Sequence, residues 1–369
     1  PEEAERAARA GLEHAAEATD GEAQGAIRLT LADVLLRRGD AAAEAAEHAL
    51  AAAHWFDQAG LASGGGAQAR FTLARAHAVQ GHHVDAAEVL RSALPDLLEH
   101  GEGQAVGARE FLGDLLAQLN EPQEAAEQYL LAAEAAERWE DQRPHAHLAH
   151  SAADQLARTG MAQEAAAAWE RALELYRGAG GEPVSEARIL RSLAWQALRE
   201  EVTAPAVAHA RVRMDQAADV LRSALAGEPE APHLLAELAQ TWYQLAQLAD
   251  RQVNRSEELD DAHGDDGEED GGGGPRPAGR LDAQEIEALR REEVELCERA
   301  AAVYRQLGPD HLADRLQCEQ YAAWTEQELG RDEAGAARIT ALVEEFKALP
   351  EEVVGDLLER AEYTLAQLS

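Results

Sequence analysis

An all-α fold built from stacked helix pairs is what this chain predicts, on three observations. Apolar residues make up 46% of it but aromatics only 4%, and with alanine dominant and Val, Ile and Thr sparse the balance favours helix over sheet. The nine-residue phrase 86-AAEVLRSAL-94 returns almost letter for letter as 217-AADVLRSAL-225. Single glycines or an asparagine recur between helical stretches, where a left-handed helix cap is wanted. At 369 residues the chain exceeds one ordinary core, and its bulky residues are too few to fill a large one. Thin helical layers in close contact are therefore expected, arranged as an elongated array.

Residues 2 to 18 read as half a repeat or an N-terminal cap. Each later unit opens with a first helix marked by a residue pair: Leu31-Ala32, Leu73-Ala74, Leu112-Gly113, Ala152-Ala153, Leu193-Ala194, Leu238-Ala239 and Ala322-Ala323. A turn residue follows in several units: Gly39, Gly81, Asn120, Gly160 and Gly330. The second helix then carries a small residue, a larger apolar one four on, and a small one three later. Ala86, Leu90 and Ala93 do this, as do Ala125, Tyr129 and Ala132, then Ala165, Trp169 and Ala172, then Ala217, Leu221 and Ala224. Ala300 with Tyr304, Gly335 with Ile339, and Ala45, Ala49 and Ala52 are fainter copies. Four-then-three spacing keeps each set on one helical face. The step from 86 to 125 to 165 is about 39–40 residues, the period of a solenoid.

Two interruptions stand out. The segment 201-EVTAPAVAHARVRMD-215 lengthens one repeat. The segment 255-RSEELDDAHGDDGEEDGGGGPRPAGR-280 is too acidic and too rich in Gly and Pro to bury a core, and is expected to be disordered. A helix restarts at 282-DAQE-285, an N-cap signature, and 351–368 reads as a capping helix. The expected organisation is helical repeats over 1–254, the acidic insertion over 255–280, and the same solenoid continuing over 281–369.

The Leu112-Gly113 pair, the small Ala125 opening the second helix and the aromatic Tyr129 resemble a tetratricopeptide repeat (TPR). The resemblance covers nearly the whole chain in degenerate form: the family's 34-residue period is lengthened, and its first-helix Trp and closing Pro are mostly missing. It implies a right-handed superhelical solenoid of antiparallel helix pairs whose first helices line a concave groove. The long helices are similar to TPR-like arrays of bacterial regulatory and signalling proteins.

That geometry assigns to the groove Phe71 and Arg75; Glu110 and Asp114; His147, His150, Asp154 and Arg158; Arg188, Arg191, Trp195 and Arg199; His233, Gln240 and Tyr243; and Gln320, Trp324 and Gln327. Although acids outnumber bases two to one, Arg188, Arg191 and Arg199 stand together around Trp195. Arginine and aromatic anchors favour desolvated binding. The competing reading pairs these arginines along their own helix with Glu186, Glu200 and Glu201. The neighbouring acidic insertion either competes for such a patch as a tethered ligand or acts as a solubilising spacer. The lysine and asparagine clamp with which some TPR domains hold acidic C-termini is absent, because Lys347 is the sole lysine.

No catalytic signature emerges. A phosphate-binding loop needs Lys-Ser or Lys-Thr, and Lys347 precedes Ala348. Cys297 and Cys318 have acidic neighbours and no CxxC spacing, so neither a zinc site nor a nucleophile is expected. In 145-HAHLAH-150, His147 and His150 share a stripe with Asp154 that a divalent ion accepts; polar groove residues are the preferred reading. The run 261-DAHGDDGEED-270 lacks the calcium-loop register. No cofactor and no metal are expected. A net charge of −37 repels phosphate backbones, which excludes generic nucleic-acid binding. With no membrane-length apolar run, no leader and no disulfide framework, a cytoplasmic location is expected. A start at Pro1 rather than Met fits a piece of a longer protein. The expected function is a non-catalytic protein- or peptide-binding scaffold whose partner carries an acidic or aromatic segment. The alternative is a ligand-sensing module of a larger bacterial signalling or transcription-regulating protein.

Overall fold

The computed structural model describes residues 2–17, 20–99, 101–199, 202–264 and 279–368. Among them there are 17 α-helices and no strand. The chain divides into two compact units at Gly180 and Gly181, glycines with φ of 99° and 91°.

The first unit, Pro1–Gly180, comprises α1 (Glu2–Glu17), α2 (Gly21–Arg38), α3 (Ala42–Gln58), α4 (Ala67–Val79), α5 (His83–Glu99), α6 (Glu102–Gln118), α7 (Pro122–Ala136), α8 (Arg143–Arg158) and α9 (Ala162–Gly178). A π-helical turn over Ala62–Gly66 leads into α4. The second unit, Gly181–Ser369, comprises α10 (Pro183–Gln196), α11 (Ala204–Leu225), α12 (Pro232–Gly264), α13 (Ala283–Leu307), α14 (Leu312–Glu328), α15 (Asp332–Lys347), α16 (Glu351–Val354) and α17 (Leu357–Leu368).

The repeat register holds throughout. Both residues of every first-helix pair are buried, and so is every small and large residue of the second-helix triplets except Ala224, which is half-buried. The fainter triplet Ala45, Ala49 and Ala52 is as fully enclosed as the others. Alanine at these points lets helix axes approach, and the larger residue fills the space to the next layer. Where that residue is aromatic, its polar edge is also satisfied. Tyr129 donates to Asp114 Oδ1 at 2.6 Å, Trp169 Nε1 to Asp154 Oδ1 at 2.9 Å, and Tyr304 to Gln240 Oε1 at 3.2 Å. The cores are strung along the units: one joins α4 to α8, another α10 to α14, and a third closes α14 to α17.

Gly39, Gly81, Asn120, Gly160 and Gly330 all adopt positive φ, as expected of helix C-caps. The restart at 282 is a full capping box: Asp282 accepts from the Glu285 backbone at 2.9 Å, and Glu285 accepts from the Asp282 N–H at 2.8 Å.

Two local expectations are corrected, and the 201–215 insertion is given its conformation. The 201–215 insertion is mostly helix: Thr203 caps α11, accepting from Ala206 N at 3.3 Å, and the inserted residues become its first half. Residues 255–264, expected to be disordered, continue α12. The buried face of α12, with Leu248, Ala249 and Val253, runs on into this stretch at Ser256, which is also buried and whose Oγ accepts from Leu281 N at 2.7 Å. The rest of the acidic insertion, 265–278, lies outside the described residues. The capping helix is broken at Gly355, with φ of 53°, into α16 and α17.

Candidate functional site

The first-helix face of the first unit is crossed by polar contacts between neighbouring repeats. Arg75 on α4 reaches Asp33 on α2 at 3.2 Å. His147 on α8 reaches Glu110 on α6 at 3.3 Å, and this hydrogen bond raises the imidazole pKa above its ordinary value. Arg158 donates to Asn120 Oδ1 at 2.8 Å, holding the turn that follows α6. His150 lies 3.7 Å from Asp154, whose other oxygen takes the Trp169 indole. His147 and His150 thus turn to different carboxylates.

In the second unit Arg188 and Arg191 are not an open cationic patch. Both close on Glu237, a largely buried acid on α12. Arg188 Nε donates to Oε1 at 2.7 Å and Arg191 Nη2 to Oε2 at 2.5 Å. Arg191 is only 7% exposed and also donates to Thr241 Oγ1 at 2.9 Å. Burial works to raise the Glu237 carboxyl, but the two guanidiniums outweigh it and hold it below the usual range. Of the acids near them in sequence, Glu186 accepts from Glu182 N at 3.0 Å, and Glu200 and Glu201 lie outside the described residues. The partner is one helix pair away, which spacing along a single helix does not reveal.

Trp195 and the exposed Arg199 follow on the same side of the unit. The Trp195 indole donates to Gln244 Oε1 at 2.9 Å, and its ring borders a cleft of about 620 Å³. The other walls are Val202, Gln247, Asp250, Arg251, Asn254, Arg255 and Glu258, and Tyr321 of α14. Such a volume suits a small ligand or a few side chains of a partner. Tyr243 is buried, edge-on to Tyr321 at 5.7 Å, and Trp324 on α14 is 45% exposed. Arg255 pairs with Glu258 at 3.0 Å, whereas Arg251 is exposed and has no ion-pair partner among the described residues.

Behind the cleft lies a buried ionic node. Asp250 accepts from Arg290 at 2.6 Å, and the same guanidinium holds Glu293 at 3.1 Å and Glu328 at 2.8 Å. Thr325 adds a bond to Glu293 at 3.2 Å. Glu293 is completely enclosed, and burial pushes its carboxyl up to about 7. Arg290 and Glu328 also border a second cavity of about 560 Å³. The node therefore forms a wall shared by two cavities. Sequence reasoning missed Asp250 and Arg251 because the groove stripe of α12 was followed only as far as Tyr243, and Arg255 because the helix was expected to end near 254. The apolar spacing from Leu248 through Val253 to Ser256 was the available signal.

Cys297 and Cys318 are buried in the same core. Burial raises both thiols, Cys318 to about 12, so neither carries much thiolate at neutral pH. No helix among the described residues is long and apolar enough to cross a membrane.

No protein-family model and no curated protein matches the sequence. Among solved structures, the chain is similar to a signal transduction ATPase with numerous domains (STAND) that carries a tetratricopeptide repeat sensor, from Pyrococcus horikoshii. The identity is 13%, over 94% of this chain and 52% of that one, with a TM-score of 0.50. It is also similar to BtubC from P. vanneervenii, at 20% identity over 61% of this chain and 92% of that one, TM-score 0.47. A third is the apo quorum sensor NprR from B. thuringiensis, at 12% identity over 90% and 80%, TM-score 0.47. The likeness is one of fold: the chain is a TPR-like all-helical repeat protein, and it spans 52% of the archaeal ATPase.

Proposed function

We propose that this chain is a non-catalytic scaffold that binds a protein or peptide segment in the first-helix cleft of its second unit, in a reducing, cytoplasmic setting. The observation that carries the reading is an exposed arginine, Arg251, with no ion-pair partner among the described residues, lining one cleft with the half-buried Trp195 in a chain of net charge −37. Such a pair offers a charge-assisted bond and a ring face together. The matching partner segment is acidic and carries an aromatic or apolar residue. Arg188 and Arg191 contribute by ordering the cleft through Glu237 rather than by touching the partner.

The test is affinity capture by the full chain, identification of the captured proteins by mass spectrometry, and titration of the matching synthetic segment by calorimetry. Replacing Trp195 and Arg251 by Ala is expected to abolish binding while helical circular dichroism is kept. Undiminished binding by that variant moves the site elsewhere.

A second reading, a ligand-sensing module of a larger regulator, is favoured by the ionic node. Asp250, Arg290, Glu293 and Glu328 tie α12, α13 and α14 together and face two cavities. Occupancy of either cavity would be felt by all three helices. The similar archaeal ATPase carries its repeats as a sensor. Under this reading, binding of the segment changes hydrogen exchange in α13 as well as in the cleft; a change confined to α10 and α12 favours the plain scaffold.

A further inference from the structure

The turn between α4 and α5 brings together three side chains that the cleft does not use. α4 ends in a Schellman motif: His82 N donates to His77 O and Gly81 N to Ala78 O, both at 2.9 Å, with Gly81 at φ 79°. That motif seats the side chains of its first and last residues against each other, ordinarily as an apolar contact. The sister turns show the rule with other chemistry. After α8 the pair is Leu156 and Met161, closed by Met161 N to Leu156 O at 3.1 Å. After α14 it is Glu326 and Arg331, which form an ion pair at 3.2 Å. After α4 it is two histidines, His77 and His82, with ring centroids 6.1 Å apart.

His82 has a second role. Its carbonyl accepts from Ala86 N at 3.0 Å, so it is also the residue at which α5 starts. Asp85 is then the third helical residue, whose side chain folds back toward the cap. Ligand-capable atoms of His77, His82 and Asp85 accordingly lie within 4.8 Å of one another. His77 Nδ1 is buried and has no hydrogen-bond partner among the described residues.

We propose that His77, His82 and Asp85 form a binding site for a late first-row divalent transition ion, Zn²⁺ first among them. Two imidazoles and one carboxylate are the donor set such ions take, in contrast to the all-oxygen sets of Mg²⁺ and Ca²⁺. Zinc bonds of about 2.0–2.2 Å place tetrahedral ligands about 3.4 Å apart. The exposed His82 and Asp85 side chains close the difference by rotation, because the backbone of both caps is already set. The bound ion clips the end of α4 to the start of α5 and leaves a coordination position for water or an incoming group. The site lies in the first unit and is independent of the cleft proposed above.

The test uses the full chain freed of metal by chelation. Calorimetric titration with Zn²⁺ in about 10 mM Mg²⁺, an excess that occupies the oxygen-only sites of so acidic a surface, is expected to show one tight site per chain. Co²⁺ in its place is expected to give the intense visible bands of a four- or five-coordinate ion. His82→Asn and Asp85→Asn sit at exposed positions and are expected to keep the circular dichroism. Each should weaken Zn²⁺ at least tenfold and remove the rise in melting temperature that Zn²⁺ gives the parent. His54→Asn, an exposed histidine away from the turn, should leave binding unchanged. The proposal is overturned if both turn variants bind Zn²⁺ as tightly as the parent, or if Mg²⁺ displaces all of the bound Zn²⁺.

Discussion

Replacing Glu293 by Gln probes the ionic node through its pH dependence. The carboxyl is fully enclosed, with Arg290 at 3.1 Å and Thr325 at 3.2 Å. Asp250 and Glu328 compete for the same guanidinium. Burial, with the neighbouring Asp250, outweighs the shared cation, and the Glu293 pKa rises to about 7 from about 4.3 for an ordinary glutamate. A folded state that holds its proton more tightly than the unfolded state is favoured at low pH. The stabilisation is fully present below about pH 4.3 and is lost as pH rises to about 7. At about 1.4 kcal/mol per pH unit the loss amounts to about 3–4 kcal/mol. Glutamine is a near-isosteric stand-in for the protonated acid and does not titrate. E293Q and parent should therefore match within about 1 kcal/mol near pH 4.5, and the variant should be more stable by about 3 kcal/mol at pH 8.5. With two compact units a single global unfolding energy is poorly defined. The measurement is hydrogen exchange by mass spectrometry over α12 to α14, variant against parent at the same pH, so that intrinsic exchange rates cancel. Glu328, which burial also raises, titrates in both proteins. A difference that stays constant from pH 4.5 to 8.5, or that grows in the opposite direction, refutes the reasoning.

Gly113→Ala gains about 1 kcal/mol of helix propensity, but its Cβ would lie 2.8 Å from the Tyr129 ring. That ring is buried and hydrogen-bonded to Asp114 and cannot retreat. A net destabilisation of about 1–3 kcal/mol is expected, read as a lowered thermal transition and relieved in G113A/Y129L. Glu237→Gln removes the charge held by Arg188 and the buried Arg191. Leaving a buried guanidinium short of its counter-charge is expected to cost about 3 kcal/mol, seen as faster hydrogen exchange in α10 and α12; unchanged exchange would show the clamp to be ornamental.

Some features of this protein are local enough to be read from residue order. A small residue, a larger apolar one four on and a small one three later on one face, with a left-handed cap after several of the first helices, dictates helix, turn, helix whatever surrounds it. Ala86, Ala125 and Ala165, Gly81 and Gly160, and the Asp282 box accordingly fell where the periodicity placed them. What lies opposite a given side chain across the stack is set by packing between elements dozens of residues apart. Arg191 belongs to Glu237, Arg75 to Asp33, and Arg290 to Asp250 and Glu328 as well as to Glu293 three residues on; only that last pair is contained in the spacing along a single helix. The end of α12 was misjudged for a related reason: the polar text after 254 has the composition of a linker, while the face that α13 covers keeps its small and apolar residues. The metal-competent turn is intermediate. Its Gly81 cap was legible in the sequence, but that His77 and His82 meet there, with Asp85 folded back beside them, follows only from two caps sharing one residue. By itself the sequence determined the repeat, its caps and its class, because those depend on backbone and nearest neighbours. The tertiary structure alone decided which charges are spent inside the fold and which, like Arg251, stay at the surface, because burial and pairing are properties of the assembled layers.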